Sequence, residues 1–205
     1  LQKGLCNLDR HLQSLGKFRV PVLVAINRFK DDAPELLDQI GAYCRSRGVE
    51  SAVVDVFAQG GAGAMELAEK TVALLAEGRP DGAKPLYTPE LSLLAKVETV
   101  AREVYGAAGV YTESDARKKL ARYEKAGYGR LPVCIAKTQS SLSDDPKKYG
   151  SPSGWTLTVT DAHLASGAGF VVVIAGNMMR MPGLGKEPQA VRMDVDDAGV
   201  ICGLR

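Results

Sequence analysis

Short β-branched runs alternate along this chain with stretches in which apolar residues recur every three or four positions. That alternation restricts the chain to sheets covered by helices and excludes both an all-helical bundle and a sandwich. Val20 to Ile26 and Ser51 to Phe57 read as strands, and between them a helix over roughly Ala33 to Arg47 turns Leu36, Leu37, Ile40 and Tyr43 inward. This is a βαβ unit, so the expected class is α/β, with a mostly parallel sheet and flanking helices. A helix through Leu15 precedes the unit. A third follows the turn Gly60-Gly61-Ala62-Gly63, carries Met65, Leu67, Ala68, Val72 and Leu75, and stops at Gly78 and Pro80.

Glu77 to Pro85 reads as a boundary, dividing the chain into a βαβ segment, 1–80, and a second α/β domain, 81–205. In the second part Leu91, Leu94, Val97 and Val104 mark a helix, and Ser114 is expected to cap a basic one that runs to about Lys125. Strands are expected at Leu131 to Lys137 and Phe170 to Ala175, separated by a long loop through Trp155 and followed by a turn-rich tail. Nothing repeats, and no segment is of low complexity.

Composition narrows the function. The chain carries 26 basic and 24 acidic side chains, a net charge of +2, without the basic stripe that nucleic-acid binding demands. The longest apolar runs fall far short of the roughly 20 residues that span a bilayer. Cys6, Cys44, Cys134 and Cys202 are scattered with no C-x-x-C pair, and only His11 and His163 accompany them, so metal-ligand spacing is absent. Cys134, inside the apolar run Leu131 to Ala136, is expected to serve as a small buried hydrophobe. Unpaired cysteines fit a reducing, cytoplasmic home. Leu5, Leu8, Leu12 and Leu15 follow Leu1 at helical spacing with no signal-peptide layout, and the chain reads as mature structure that starts within a longer protein.

In open α/β sheets ligands sit beyond the carboxyl ends of strands. Three strand exits therefore matter. Asn27-Arg28-Phe29-Lys30-Asp31-Asp32 offers an amide, a ring and charges, although the residues alone equally fit a strand-to-helix turn. Phe57-Ala58-Gln59-Gly60-Gly61-Ala62-Gly63 places glycines before a helix, where backbone N–H groups can approach an anion; Glu66 stands where a dinucleotide fingerprint needs its third glycine. Lys137 to Pro146 is crowded with hydrogen-bonding groups, and a solvated loop with Asx and Ser turns is the plainer account. Gly185-Lys186 only imitates a phosphate loop, because Arg180 and Glu187 occupy the positions of its first glycine and its Ser or Thr.

Taken together, P-V-L-V-A-I-N-R-F from Pro21, F-A-Q-G-G-A-G from Phe57, L-P-V-C-I-A-K-T-Q from Leu131, S-L-S-D-D-P from Ser141, G-A-G-F from Gly167, M-P-G-L from Met181 and the closing G-L-R resemble the C-terminal portion of the formate-tetrahydrofolate ligases, also called 10-formyltetrahydrofolate synthetases. The resemblance implies a P-loop NTPase-like family fold whose N-terminal, phosphate-loop portion is not in these residues. It implies ATP-dependent formylation of tetrahydrofolate at N10 through formyl phosphate, chemistry in which positioning and charge neutralisation outweigh a protein nucleophile. No catalytic residue and no metal ligand is therefore expected in this segment, and alone it is expected to be inactive.

What the segment is expected to supply is the folate side. The family's two pterin-sandwiching aromatics fall on Phe29 and on Phe57, where tryptophan is usual. Asn27 becomes a polar anchor, and the backbone at Gly60, Gly61 and Gly63 gives close approach to the ligand. Lys137 and Gln139 are assigned to the cleft lining as donors to phosphate or folate oxygens, with Ser140 where the family has a tyrosine, and Ser143 and Asp144 to loop order. Arg117, Lys118, Lys119, Arg122 and Lys125 crowd one helix, either as a solvated face or as an attraction for polyglutamylated folate. The implied partners are tetrahydrofolate, formate and ATP, with magnesium and monovalent cations and a homo-oligomeric, commonly tetrameric, assembly. Two other readings stay open. One is a non-catalytic truncated homologue that binds folate or assembles with subunits; the other is an unrelated phosphate-binding α/β protein using Gly60 to Gly63.

Overall fold

The computed structural model describes residues 1–78, 82–178 and 186–203. The expected βαβ unit is present. Strand β1 (Leu23–Asn27) lies parallel to β2 (Glu50–Val54), in register from Leu23 opposite Glu50 to Asn27 opposite Val54. Helix α2 (Pro34–Ser46) makes the crossover and starts on Pro34, whose fixed φ suits the first helical turn. Its buried stripe is Leu37, Gly41 and Cys44. Leu36, expected to point inward, is exposed, because it lies about 100° around the helix from Leu37 and the two-stranded sheet covers only a narrow face.

β2 ends at Val54, short of the expected Phe57. The chain instead makes one turn of helix, α3 (Val56–Gln59), and a 3₁₀ turn (Gly60–Ala64), before α4 (Met65–Ala76). Met65, Val72 and Leu75 of α4 are exposed rather than inward, since two strands offer too little surface to cover both α2 and α4.

The second sheet has four strands in the order β3 (Gly109–Thr112), β5 (Thr156–Ala165), β6 (Phe170–Ala175), β4 (Val133–Ala136). β3 runs parallel to β5 and β4 parallel to β6, but β5 and β6 are antiparallel. The architecture is thus α/β with a mixed sheet in which the β3/β5 and β4/β6 pairings are parallel and β5/β6 is not, because only the four residues 166–169 join β5 to β6 and a loop that short permits only an antiparallel pair. Helix α5 (Leu93–Val100), capped by Ser92 Oγ accepting from Ala95 N at 3.2 Å, continues into a wide turn (Ala101–Tyr105). Helix α6 (Ser114–Tyr123) continues likewise through Glu124–Tyr128. Ser114 is the first helical residue and not the cap; Glu113 holds that position without a side-chain bond. The core is mainly apolar: Leu93, Val97, Leu120, Trp155, Leu157 and Val171 form its centre. Cys134 faces out of β4, with Val133 and Ile135 turned to the core instead. A small hairpin, β7 (Asp194–Val195) with β8 (Ile201–Cys202), closes the described chain.

Helix α1 (Gln2–Gly16) belongs to the first part of the sequence but bonds to the second. Ser14 Oγ donates to Val104 O at 2.8 Å, Arg10 Nη2 donates to Arg102 O at 3.1 Å, and Lys17 pairs with Glu103 at 2.6 Å. Carbonyls in the last turn that continues α5 exceed the N–H groups that follow it, and α1 supplies side-chain donors to them, although Arg102 O also accepts from Gly106 N at 3.1 Å. No helix among the described residues is long and apolar enough to cross a membrane.

On β5, Asp161 accepts from Lys119 Nζ of α6 at 2.5 Å and from Ala162 N at 2.7 Å, with His163 Nε2 3.1 Å away. Burial alone pushes the Asp161 carboxyl up, but these three partners outweigh it and hold the group below the usual carboxylate range. A depressed carboxylate stabilises the fold above its unfolded pKa of about 3.9, and this contribution is lost as pH falls through the folded value. The melting temperature of Asp161→Asn is therefore expected to lie below that of the parent at pH 7. The gap should narrow as the pH falls below the unfolded value and through the lower folded one. A gap independent of pH would show that the carboxylate's charge is not what matters.

Candidate functional site

β1 and β2 deliver their carboxyl ends side by side, and two aromatic rings emerge there. Arg28 N still donates to Val54 O at 2.9 Å, so the pairing persists one residue past Asn27 before the chains separate. Phe29 N then donates to Asp32 Oδ2 at 2.8 Å and Asp32 N donates to Phe29 O at 3.1 Å, a reciprocal turn that fixes the backbone of Phe29. Its ring remains 67% exposed, and that of Phe57 on α3 is fully exposed. Burying a phenylalanine is worth about 1.5–3 kcal/mol, so two uncovered rings at adjoining strand exits are a costly arrangement for folding alone. Asn27 is exposed at the same edge.

The glycine turn beneath Phe57 separates into positions that the fold requires and one that it does not. Gly60 has φ +58 and ψ −140, a conformation open only to glycine. A Cβ on Gly63 would lie 2.2 Å from Asp55 O, while Gly63 O accepts from Asp55 N at 3.0 Å, so this backbone sits directly against the exit of β2. Gly61 has nothing within 4 Å of such a Cβ and no positive φ. Folding thus accounts for Gly60 and Gly63 and leaves Gly61 unexplained. Gly63→Ala is expected to break the turn and lower the melting temperature by several degrees, whereas Gly61→Ala should melt with the parent and show its effect only in ligand binding. Thermal unfolding of the two variants side by side checks this.

At the exit of β4, Lys137 and Gln139 line one cleft of about 490 Å³ together with Asn7 and His11 of α1 and with Tyr105. The half-buried Lys137 Nζ donates to the carbonyls of Thr138 at 3.0 Å, of Ser143 at 3.2 Å and of Ser141, and stands 4.9 Å from the centre of the Tyr105 ring. Burial lowers its pKa, with Asp144 opposing. Its donors thus organise the loop. Ser141 and Ser143 hydroxyls are 2.9 Å apart, and Asp144 Oδ2 accepts from Thr158 N at 2.7 Å, tying the loop to β5. The long loop is therefore ordered by its own polar groups, while the side chain of Gln139 is left facing the cleft.

The basic helix is partly neutralised, since Lys118 pairs with Asp115 at 3.1 Å and Lys119 with Asp161. The phosphate-loop lookalike, Met181 to Gly185, and the last two residues of the closing G-L-R lie outside the described residues. No group of three or more His, Cys, Asp or Glu among the described residues is placed to hold a metal ion.

Sequence reasoning missed two features. Asn7 and His11, spaced i, i+4 on one face of α1, were legible as a polar pair but gave no sign of what they face. Lys96 gave no sign at all. It is fully buried on α5, donating to Gly129 O at 2.6 Å and Leu131 O at 3.0 Å.

Exposed rings and a glycine turn thus follow β1 and β2, and a polar loop follows β4. A model of the formate-tetrahydrofolate ligase family matches residues 1–205. The match spans both sheets and so includes every one of these positions. This chain belongs to the formate-tetrahydrofolate ligase family.

Proposed function

We propose that this chain forms the folate pocket of a formate-tetrahydrofolate ligase, with the pterin ring held between Phe29 and Phe57. The observation that carries the reading is the pair of exposed phenylalanines at the adjoining carboxyl ends of β1 and β2. Asn27 would anchor the pterin's polar edge, and the open backbone at Gly60 and Gly61 would let the ligand approach closely, as Gly61's freedom from any packing demand supports. Family membership makes the chain a ligase at family level, with tetrahydrofolate, formate and ATP as the family's substrates. ATP phosphorylates formate to formyl phosphate and leaves as ADP; the folate N10 attacks the formyl carbon, and phosphate departs with the C–O electron pair. The pocket's part in this is positional. Stacking fixes the pterin so that N10 faces the acyl carbon, and alignment of two reactants can remove about 7–11 kcal/mol from a barrier.

The 205 residues contain no Walker A sequence, so in this reading the nucleotide's phosphates are held by residues outside them and the segment alone does not turn over. No step is assigned to magnesium or a monovalent cation. We further propose the division into a βαβ part, 1–80, and a second α/β domain, 81–205, within a P-loop NTPase-like family fold. A cytoplasmic location is proposed from the four unpaired cysteines, and a homo-oligomeric assembly from family membership. The exposed apolar residues Met65, Val72 and Leu75 of α4 favour a second role in subunit assembly; sedimentation of the chain mixed with a full-length ligase would show mixed species if that role is correct. The folate reading is tested by calorimetric titration with tetrahydrofolate. Saturable micromolar binding is expected, and absence of heat at millimolar ligand would overturn it.

A further inference from the structure

We propose that the cleft between α1 and the exit of β4 is a binding site for an oxyanion group, a carboxylate or a phosphate, recognised by Asn7, His11, Gln139 and Ser140 beside the Lys137 charge. Its volume of about 490 Å³ falls in the range of small-molecule sites. Asn7 and His11 face it from successive turns of α1, and Gln139 and Ser140 from the loop after β4, so hydrogen-bond donors converge from two elements. No Asp or Glu is among the residues that line it.

The polar side chains here divide into two sets. Lys137, Ser141, Ser143 and Asp145 bond to one another's backbone or hydroxyl groups and close the loop on itself. Among the described residues, Asn7, His11 and Gln139 make no side-chain hydrogen bond, and Ser140 bonds only through its backbone N–H, to Thr138 Oγ1 at 3.2 Å. The loop's order therefore does not need them, and their donors remain available to a ligand. Charge points the same way. The Lys137 ammonium is half-buried with only carbonyl oxygens and the Tyr105 ring in contact; the carboxylate that acts on it, Asp144, is committed to Thr158 N. An ammonium partly shielded from water and bonded to no anion makes the cleft attractive to negative charge. Lys137 and Gln139 belong to the cleft lining that the family resemblance implies, so this inference rests on that reading and deepens it by adding Asn7 and His11 from α1, which have no part in the pterin clamp.

The test is a titration of the isotopically labelled full chain at pH 7 with inorganic phosphate and, separately, with glutarate, read on the side-chain amides of Asn7 and Gln139. Saturable shifts with either probe are expected. Phosphate alone would mark a phosphoryl site, glutarate alone a carboxylate site, and both a general oxyanion site. His11→Ala should weaken binding about tenfold, and Gln139→Glu, which sets a carboxylate in the cleft at an exposed position that folding does not depend on, should abolish it. Saturation by neither probe would overturn the proposal, as would unchanged affinity in Gln139→Glu. Tetrahydrofolate titrated into the same variants and read at Phe29 and Phe57 reports the pterin clamp by itself, so failure of one site is distinguishable from failure of the other.

Discussion

Phe29→Ala is expected to weaken tetrahydrofolate binding by about 5- to 150-fold, the loss that follows from removing one stacking ring worth about 1–3 kcal/mol. The effect should appear almost wholly in affinity and hardly in stability, because the ring is mostly exposed and its backbone is held by Asp32 rather than by packing. Phe57→Ala should lose a similar amount. Phe57→Trp should tighten binding, since a larger π-surface covers more of the pterin. Titration of the three variants, each with a thermal melt, separates a ligand-facing role from a structural one. Equal losses of affinity and of melting temperature in Phe29→Ala would contradict this account.

The second large effect belongs to Lys96. Its stem fills the core beside Leu93 and Val97, and its ammonium reaches the carbonyls of Gly129 and Leu131 as the chain leaves the turn that follows α6. Lys96→Ala leaves a cavity and two carbonyls without a donor, and should cost about 3–5 kcal/mol, or roughly 6–20 °C in melting temperature for a chain of this size. Lys96→Met keeps the stem and removes only the donor, so about 1–3 kcal/mol should be lost. Burial lowers the lysine's pKa. Between the folded value and the unfolded value of about 10.4 the unfolded chain holds more protons than the folded one, so Lys96's contribution to stability rises with pH across that alkaline window and is flat below it. Denaturation of the parent and both variants at neutral pH ranks the three; a Met variant no more stable than Ala would show that the stem contributes nothing.

The sequence made some of this legible for reasons that can be stated. β6 spans Phe170–Ala175 as its unbroken β-branched run demands, and α2 follows from its period and Pro34. The rings at Phe29 and Phe57 could be placed at one sheet edge because consecutive parallel strands must end on the same side. The first half of β5 carries a strand's alternation, Leu157 and Val159 between Thr156, Thr158 and Thr160, but the run is short and Asp161 and His163 break it where the strand bulges, so the whole strand escaped notice. β3, four residues long, is too short for any period to declare itself. Lys96 escaped for a different reason: a lysine is expected at the surface, and only the carbonyls brought to it by a distant turn make its burial tolerable. The cleft of Asn7, His11 and Gln139 depends likewise on tertiary contact, since α1 and β4 lie more than a hundred residues apart in the chain.

The central claim is that Phe29 and Phe57 together receive the pterin. Carbon-13 labelling of phenylalanine reduces it to one experiment, because Phe18, Phe29, Phe57 and Phe170 are the only phenylalanines in the chain. Titrated with tetrahydrofolate, the ring resonances of Phe29 and Phe57 should shift upfield along one saturation curve, while those of Phe18 and Phe170 stay in place. Saturable binding that leaves the Phe29 and Phe57 rings unmoved would contradict the account.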